Sequence, residues 1–354
     1  MCAQARETCV EAVALVMHLD VRTPDARRPA PDPAFAPPID LSVIVVTHNR
    51  ADLALTTLRT AEAANRCLRV QWIVVDSGST DGTPEQIEAA HPAITVLRER
   101  NIGFAAANNR AMEIARGRYV LLLNPDVETT SGTLDDLVAK LDARPEIGVA
   151  SVIQNTPIGR LESSIRRFPS PWLAFGEAIA TSRIAPLRRW REEESRAGRY
   201  RREVSVDWLV GAFLIVRREA LREVGALDER FFLYSEETDW CYRFRHAGWQ
   251  IVHLPLMEVT HHTSRAPRPD LNAQLSYAKI LFAQKHYGRA RAGAIRAALV
   301  MRHSIRTGAL SALAVAQPRR SARALAERRA LALTLGLTQP PFAQAPGAPN
   351  TKVQ

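Results

Sequence analysis

Apolar positions fall into two rhythms that alternate along the chain from about Ile39 onward. LSVIVVT, Leu41 to Thr47, is a continuous β-branched run of the kind buried on both faces of a sheet. After His48-Asn49-Arg50 a helical pattern follows through Leu53, Leu55, Leu58 and Ala61. The pair then repeats. Trp72 to Val75 predicts a strand, followed by a turn-rich SGSTDGT loop and a helix starting near Pro84. Ile94 to Leu97 predicts a third strand, Phe104 to Ala115 a helix and Tyr119 to Leu123 a fourth strand. Strands alternating with helices in this way imply βαβ units and a parallel sheet.

The fourth strand runs straight into Asn124-Pro125-Asp126. Pro125 has no N–H to extend a central ladder, so the strand ends there, with Asn124 and Asp126 at its carboxyl edge. Ligands of open α/β sheets bind at that edge. Asp76 stands at the same edge of its own strand. Alone it also reads as a turn residue capping local amides, but two acids at one rim suggest a cation or a donor-rich ligand between them.

The second half is less regular. Arg160 to Trp172 and the charged stretch Leu187 to Glu203 read as a mobile excursion rather than core. Order returns with the apolar run from Val206 to Leu221. Ser235 is the expected N-cap of a helix from Glu236 to Ala247, with Trp240, Phe244 and Ala247 on its apolar face and Gly248 ending it. Glu236, Glu237 and Asp239 crowd the first turn of that helix. One acid there is an ordinary stabiliser, worth about 0.3–1 kcal/mol. Three such acids within four residues exceed what capping needs, and crowded carboxylates raise one another's pKa, one route to a general base. A strand from Gln250 to Leu254 then leads toward His261-His262, where a histidine near acids can ligate a divalent metal.

Composition changes the picture mainly at the two ends. The chain has 354 residues, 46% of them hydrophobic, as expected of a globular protein. Residues 1–38 end in a Pro-rich stretch that reads as an extended linker. From Lys285 onward there are twelve basic residues and a single acid, Glu327. Such a tail suits an anionic membrane surface. Its apolar stripe of Ile295, Leu299, Ile305, Leu310 and Leu313 is interrupted by Arg302 and Arg306. Aromatic interleaving and a helix-turn-helix signature are missing, so no nucleic-acid partner is expected. Cys2, Cys9, Cys67 and Cys241 show no CxxC spacing, which argues against a zinc site or a disulfide framework and fits a reducing cytoplasm. No apolar run approaches the roughly 18 residues of a membrane span. The expected location is cytoplasmic, peripheral at the inner face of the plasma membrane. Without G-x-G-x-x-G or G-x-x-x-x-G-K-[ST], neither a dinucleotide cofactor nor a P-loop triphosphate is supported.

The ordered motifs SVIVVTHNR, IVVDSGSTDGT, NIGFAAANNRAM, LLLNPDVE, WLVGAFLIVRREAL, GALDERFFLYSEETDWCYR and VTHHTS resemble those of inverting glycosyltransferases of family 2. NPD, EETDW and the later KHYG look most like the bacterial rhamnosyltransferases that act on lipid-linked acceptors. The resemblance implies an α/β GT-A fold, a mainly parallel sheet flanked by helices, followed by a basic helical extension. It implies a GT-A domain over residues 39–288, with a nucleotide-binding half at 39–150 and an acceptor-binding, catalytic half at 151–288. A basic tail over 289–354 would end in a disordered Pro-rich segment.

The resemblance also assigns residues. Asp76 matches the acid that reads the nucleobase and ribose, with Thr47, Asn49 and Arg50 lining the same pocket. Asn101, Gly103, Phe104 and Asn108 match the segment beneath the nucleotide. Asp126 matches the last acid of the DxD motif that holds Mg²⁺ or Mn²⁺ against the donor diphosphate, and Asn124 stands where Asp is common. His261 matches the metal-binding histidine, with His262 as the alternative. Glu237 falls at the catalytic-base position, ahead of Glu236 and Asp239. Trp208, Gly211 and Ala212 match the segment bordering the acceptor. The implied activity moves a sugar, foremost L-rhamnose from dTDP-L-rhamnose, from a nucleotide-diphospho-sugar donor to a glycan or polyprenyl-linked acceptor in cell-envelope polysaccharide synthesis. The competing readings are a sugar nucleotidyltransferase and a non-catalytic GT-A-like binding module.

Overall fold

The alternating runs of the first half become a parallel sheet with helices on its faces. A computed structural model describes residues 39–179, 190–262, 269–317 and 320–342. The linker expected over 1–38 and the Pro-rich end of the chain lie outside the described residues. In order, the first half holds β1 (Leu41–Thr47), α1 (Ala51–Ala63), β2 (Val70–Ser77), α2 (Thr83–Ala90), β3 (Thr95–Glu99), α3 (Phe104–Ile114), β4 (Tyr119–Leu123), β5 (Val127–Ser131), α4 (Leu134–Asp142) and β6 (Ile147–Asn155). The second half holds β7 (Ile165–Arg166), α5 (Pro171–Ala178), α6 (Ala197–Tyr200), β8 (Val204–Ser205), β9 (Trp208–Leu209), β10 (Phe213–Arg217), α7 (Arg218–Val224), α8 (Glu236–His246) and β11 (Gln250–His261). Three helices follow: α9 (Pro269–His286), α10 (Arg289–Ala316) and α11 (Ser321–Leu335).

The main sheet runs β3-β2-β1-β4-β10-β6-β11-β5, with β8 beside β11. β1, β2, β3 and β4 pair in parallel, as does β6 with β11. β10 runs antiparallel to β4 and β6, and β5 runs antiparallel to β11, so the sheet is mixed rather than wholly parallel. The five-residue apolar run of β4 is explained by burial on both faces. Leu121 and Leu123 enter one hydrophobic cluster, whereas Val120 and Leu122 enter the other.

Register aligns the chemistry at one edge. Thr47 pairs with Asp76, and Leu123, the last residue of β4, pairs with Val45, so the Asn-Pro-Asp turn leaves the sheet beside them. Ser235 departs from its expected role. Its backbone is left-handed (φ 64°) and its side chain makes no capping hydrogen bond to α8. The charged excursion also differs from expectation in its described part, residues 190–203. Glu192 and Tyr200 are buried there, because Glu192 pairs with Lys279 of α9 at 2.8 Å and the Tyr200 hydroxyl donates to the Glu194 carbonyl.

Candidate active site

A cleft of about 1030 Å³ opens at the carboxyl edge of the sheet. Its lining brings together Arg50, Phe104, Asn124, Asp126, Trp208, Gly211, Ala212, Glu236, Glu237 and His261. β5, unforeseen in the sequence, is what joins the first of these arms. The chain turns at Pro125 and returns as β5 along β11, where Val127 pairs with His261 and the His262 amide donates to the Asp126 carbonyl at 2.8 Å. Nε2 of His261 thereby lies 3.3 Å from Oδ1 of Asp126, though the two residues are far apart in sequence. His262 instead faces Glu128, at 3.1 Å.

The Gly211–Ala212 pair carries the second junction. The Asn124 amide donates to the Ala212 carbonyl at 2.9 Å. A Cβ on Gly211 would sit 3.6 Å from the Cβ of Glu237. The acid turn after β4 and the acidic first turn of α8 therefore flank the same two residues. Three non-glycine residues have left-handed backbone among the described residues, Asn49, Tyr234 and Ser235. Tyr234 and Ser235 line the cleft and lead directly into Glu236, and strain of this kind persists where the surroundings impose it.

Unpaired oxygens mark the same region. Buried polar atoms are normally satisfied, yet Thr47 Oγ1, Asp76 Oδ1, Asn124 Oδ1, Glu236 Oε2 and Glu237 Oε2 have no hydrogen-bond partner among the described residues, and Asp126 Oδ1 has only the 3.3 Å contact with His261. Asp76 meets both of its readings: Oδ2 accepts from the Ser79 amide at 2.9 Å, and the other oxygen is left over. Asn49 shapes the adjoining loop, its side-chain oxygen accepting from the Thr80 amide at 2.7 Å. Thr47, Asn49, Asp76, Asn101, Gly103 and Asn108 do not line the cleft itself. Asn101 accepts from the Gly103 amide, and Asn108 is turned back onto the Phe104 carbonyl within α3. Gly103 has φ 90°, and a Cβ there would meet the Phe232 carbonyl at 2.6 Å. That close approach lets Phe104 N–H donate to the same carbonyl and clamps α3 to the loop before α8.

Asp239 does not share the cleft. It is fully buried, with Oδ1 at 2.6 Å from both His286 and Lys285 and Oδ2 accepting from Arg243 at 2.9 Å. Its carboxylate is spent on tying α8 to the end of α9, which corrects its expected place beside the catalytic base. Trp208 lines the cleft yet is 9% exposed, and its indole N–H donates to the Arg167 carbonyl.

The electrostatics separate the two glutamates of α8. Burial pushes Glu236 well above the usual carboxylate range, and the charge of Glu237 pushes it further. Burial also raises Glu237, but backbone amides of Gly211 and Thr238 and the Arg166 guanidinium hold it back. The Glu237 carboxylate is thus the better supported of the pair in its ionised form. Burial opposes ionisation of Asp126, but the His261 side chain and the Arg50 charge outweigh it, and the carboxyl lies below its ordinary value. His261 is raised to about 9, because Asp126 and Glu162 overcome the effect of burial.

A divalent cation fits the donors present. Asn124 offers an unpaired oxygen, Asp126 offers Oδ1, and His261 would offer Nε2 once a cation displaces the proton it shares with Asp126. Nδ1 of His261 lies 3.1 Å from Oε2 of Glu162, the partner that orients a ligating imidazole in many metal sites. The described residues contain no cluster of three or more His, Cys, Asp or Glu able to hold a metal by themselves. Mg²⁺ and Mn²⁺ commonly keep waters and substrate phosphates among their ligands. Glu162 and Arg166 were not legible as site residues: they lie in an irregular segment whose path only the folded chain defines.

The family model for Glycosyl transferase family 2 matches residues 42–225, more than half of the chain. The chain belongs to this family. An N-acetylglucosaminyl-diphospho-decaprenol L-rhamnosyltransferase of Mycobacterium tuberculosis is 32% identical over 262 residues, covering 67% of this chain and 85% of that protein. The rhamnosyltransferase WbbL of Escherichia coli K12 is 22% identical, over 62% of this chain and 82% of its own. A mannosyltransferase from Pyrobaculum calidifontis, solved with GDP-Man and Mn²⁺, superimposes with a TM-score of 0.53 and 18% identity, over 88% of this chain and 90% of that one. The fold is GT-A, and the family 2 protein is a glycosyltransferase, which sets aside the nucleotidyltransferase and non-catalytic readings.

Proposed function

We propose that the protein is an inverting, metal-assisted glycosyltransferase that moves L-rhamnose from dTDP-L-rhamnose to a hydroxyl of a polyprenyl-diphosphate-linked glycan in cell-envelope polysaccharide synthesis. The observation that carries this reading is the convergence of Asp126, His261 and Glu237 around Gly211–Ala212 in one cleft. The transferred sugar and the acceptor follow the printed name of the Mycobacterium tuberculosis relative, and the dTDP carrier follows the family resemblance of the motifs.

Residues 39–150 hold the nucleotide: Asp76 and Thr47 offer their unpaired oxygens to the nucleoside, and Arg50 meets the diphosphate. Asp126, His261 and Asn124 would hold the cation, with Glu162 orienting the His261 ring. When bound, Mg²⁺ or Mn²⁺ offsets the negative charge that gathers on the departing diphosphate. Glu237 takes the proton of the acceptor hydroxyl as that oxygen bonds to the anomeric carbon. The bond from that carbon to the diphosphate oxygen breaks on the opposite face, so the configuration inverts. Glu236, whose pKa burial and the neighbouring Glu237 raise the more, is the less readily charged of the two. Trp208 borders the acceptor sugar. Among the described residues no helix is long and apolar enough to cross a membrane, and we place the enzyme peripherally at the inner membrane face, where a lipid-linked acceptor would lie.

The test is a screen of nucleotide sugars for thermal stabilisation with and without Mg²⁺ or Mn²⁺, followed by product analysis of anomeric configuration. dTDP-L-rhamnose should stabilise most, and only with the cation. Equal stabilisation by unrelated nucleotide sugars would remove the donor assignment.

A further inference from the structure

The cleft does not end at Glu237. Its far wall is built by the three C-terminal helices, each presenting one face: Leu271 and Leu275 of α9, Arg302, Ile305 and Arg306 of α10, and Arg323 of α11. The spacings of three and four residues on α9 and α10 are those of a single helical face. A run of charges links this wall to the catalytic end. The Arg166 guanidinium acts on Glu237 and also on Glu177 and Glu192. Glu177 in turn accepts from Arg302 at 2.9 Å, and both Glu177 and Glu192 face Lys279.

Cations outnumber acids along the wall. Lining it are Arg166, Arg191, Lys279, Arg302, Arg306 and Arg323, against Glu177, Glu192, Glu193 and Glu327. Several of their donors are unspent among the described residues. Arg302 Nε is buried without a hydrogen-bond partner. Arg306 uses only Nε, toward Glu327 at 2.7 Å, and remains half exposed. Arg323 is exposed and has no ion-pair partner among the described residues. Beside these cations, Leu275 and Ile305 leave 36% and 48% of their surfaces uncovered. Guanidinium groups set against apolar side chains inside a substrate cleft match a phosphate ester joined to a hydrocarbon, since arginine forks bind phosphate oxygens in pairs.

We propose that Arg302, Arg306 and Arg323 form a subsite for the diphosphate of the lipid-linked acceptor, with Leu271, Leu275 and Ile305 receiving the first part of its hydrocarbon. The proposal rests on the acceptor reading given above and adds where its anion is held. The C-terminal helices are then part of the acceptor site, and their positive charge acts inside the cleft. The same chemistry could come from the phosphate headgroup of an anionic phospholipid, and the experiment separates the two.

The probe is geranylgeranyl diphosphate in neutral detergent micelles, titrated into the full chain by isothermal calorimetry without donor. Wild-type protein should bind it, geranylgeraniol should bind at least tenfold more weakly, and Arg323→Gln should lose about tenfold in affinity. Arg306→Gln/Arg323→Gln should lose more. Arg328→Gln, on α11 but outside the cleft lining, should bind as wild type. Equal affinity of wild type and Arg323→Gln, or an equal loss in Arg328→Gln, overturns the subsite. So does displacement of the probe by phosphatidylglycerol vesicles in stoichiometric amounts, which assigns the cations to a membrane surface. Because the readout is binding, lack of rhamnosyl turnover would strike the proposed function and leave this result standing.

Discussion

Nε2 of His286 lies 2.6 Å from Oδ1 of Asp239, so the KHYG and EETDW motifs are two halves of one ion-pair network. Lys285 shares the same oxygen and Arg243 holds the other. A buried carboxylate facing three basic groups fixes the far end of α9 against the helix that carries Glu236 and Glu237. Removing one member of a buried ion pair costs about 3–5 kcal/mol. Asp239→Asn should lose roughly 3 kcal/mol, toward the lower end because all three basic partners keep some contact with water. Denaturant titration at pH 7 measures it. The network holds Asp239 below its usual pKa. Its contribution is therefore present above the unfolded value of 3.8 and is lost only as pH falls through the lower folded value.

Glu237→Gln should reduce turnover by roughly 10²–10⁴-fold, the range for removing a general base, with little change in donor binding. The base must be ionised to work, and burial raises its pKa above the ordinary 4.5 of a glutamate. The acidic limb of kcat/KM should accordingly lie above that value and activity should rise with pH through it. Glu236→Gln removes a neighbouring carboxylate that can become charged. It should retain turnover and leave that limb in place, because burial and not the charge of Glu236 raises Glu237. A Glu236→Gln enzyme as inactive as Glu237→Gln would exchange their roles.

Glu162→Gln removes the carboxylate that Nδ1 of His261 faces at 3.1 Å. Loss of such an orienting carboxylate typically weakens metal binding about 10–100-fold. Mn²⁺ titration followed by electron paramagnetic resonance, in the presence of the nucleoside diphosphate, reads this without turnover. Asn124→Asp should act oppositely, since a charged oxygen is the stronger ligand for a hard cation.

Gly103→Ala should be more damaging than its single methyl suggests. The position combines a left-handed backbone with a Cβ path blocked 2.6 Å away by the Phe232 carbonyl. Backbone of this kind costs about 1–3 kcal/mol for other residues, and the collision would also part Phe104 from the loop before α8. The melting temperature should fall and donor-induced stabilisation should shrink, while Gly159→Ala, where a Cβ meets nothing within 4 Å, serves as the comparison.

The sequence by itself determined the first half of the sheet, because continuous apolar runs such as Leu41 to Thr47 and Tyr119 to Leu123 are satisfied by burial on both faces. It also placed Asp76 and Asp126 at a carboxyl edge, since Pro125 must end its strand. What only the tertiary structure decided is which distant groups meet. β5 is a polar five-residue strand, VETTS, with no apolar signal of its own, yet its pairing with β11 sets His261 beside Asp126. Three acids in one helical turn were indistinguishable by spacing, and packing divided them: Asp239 faces the end of α9, and Glu236 and Glu237 face the cleft. The arginines of the C-terminal helices read as a basic tail for an anionic surface because charge counts carry no direction, whereas folding turned one face of each helix toward the cleft.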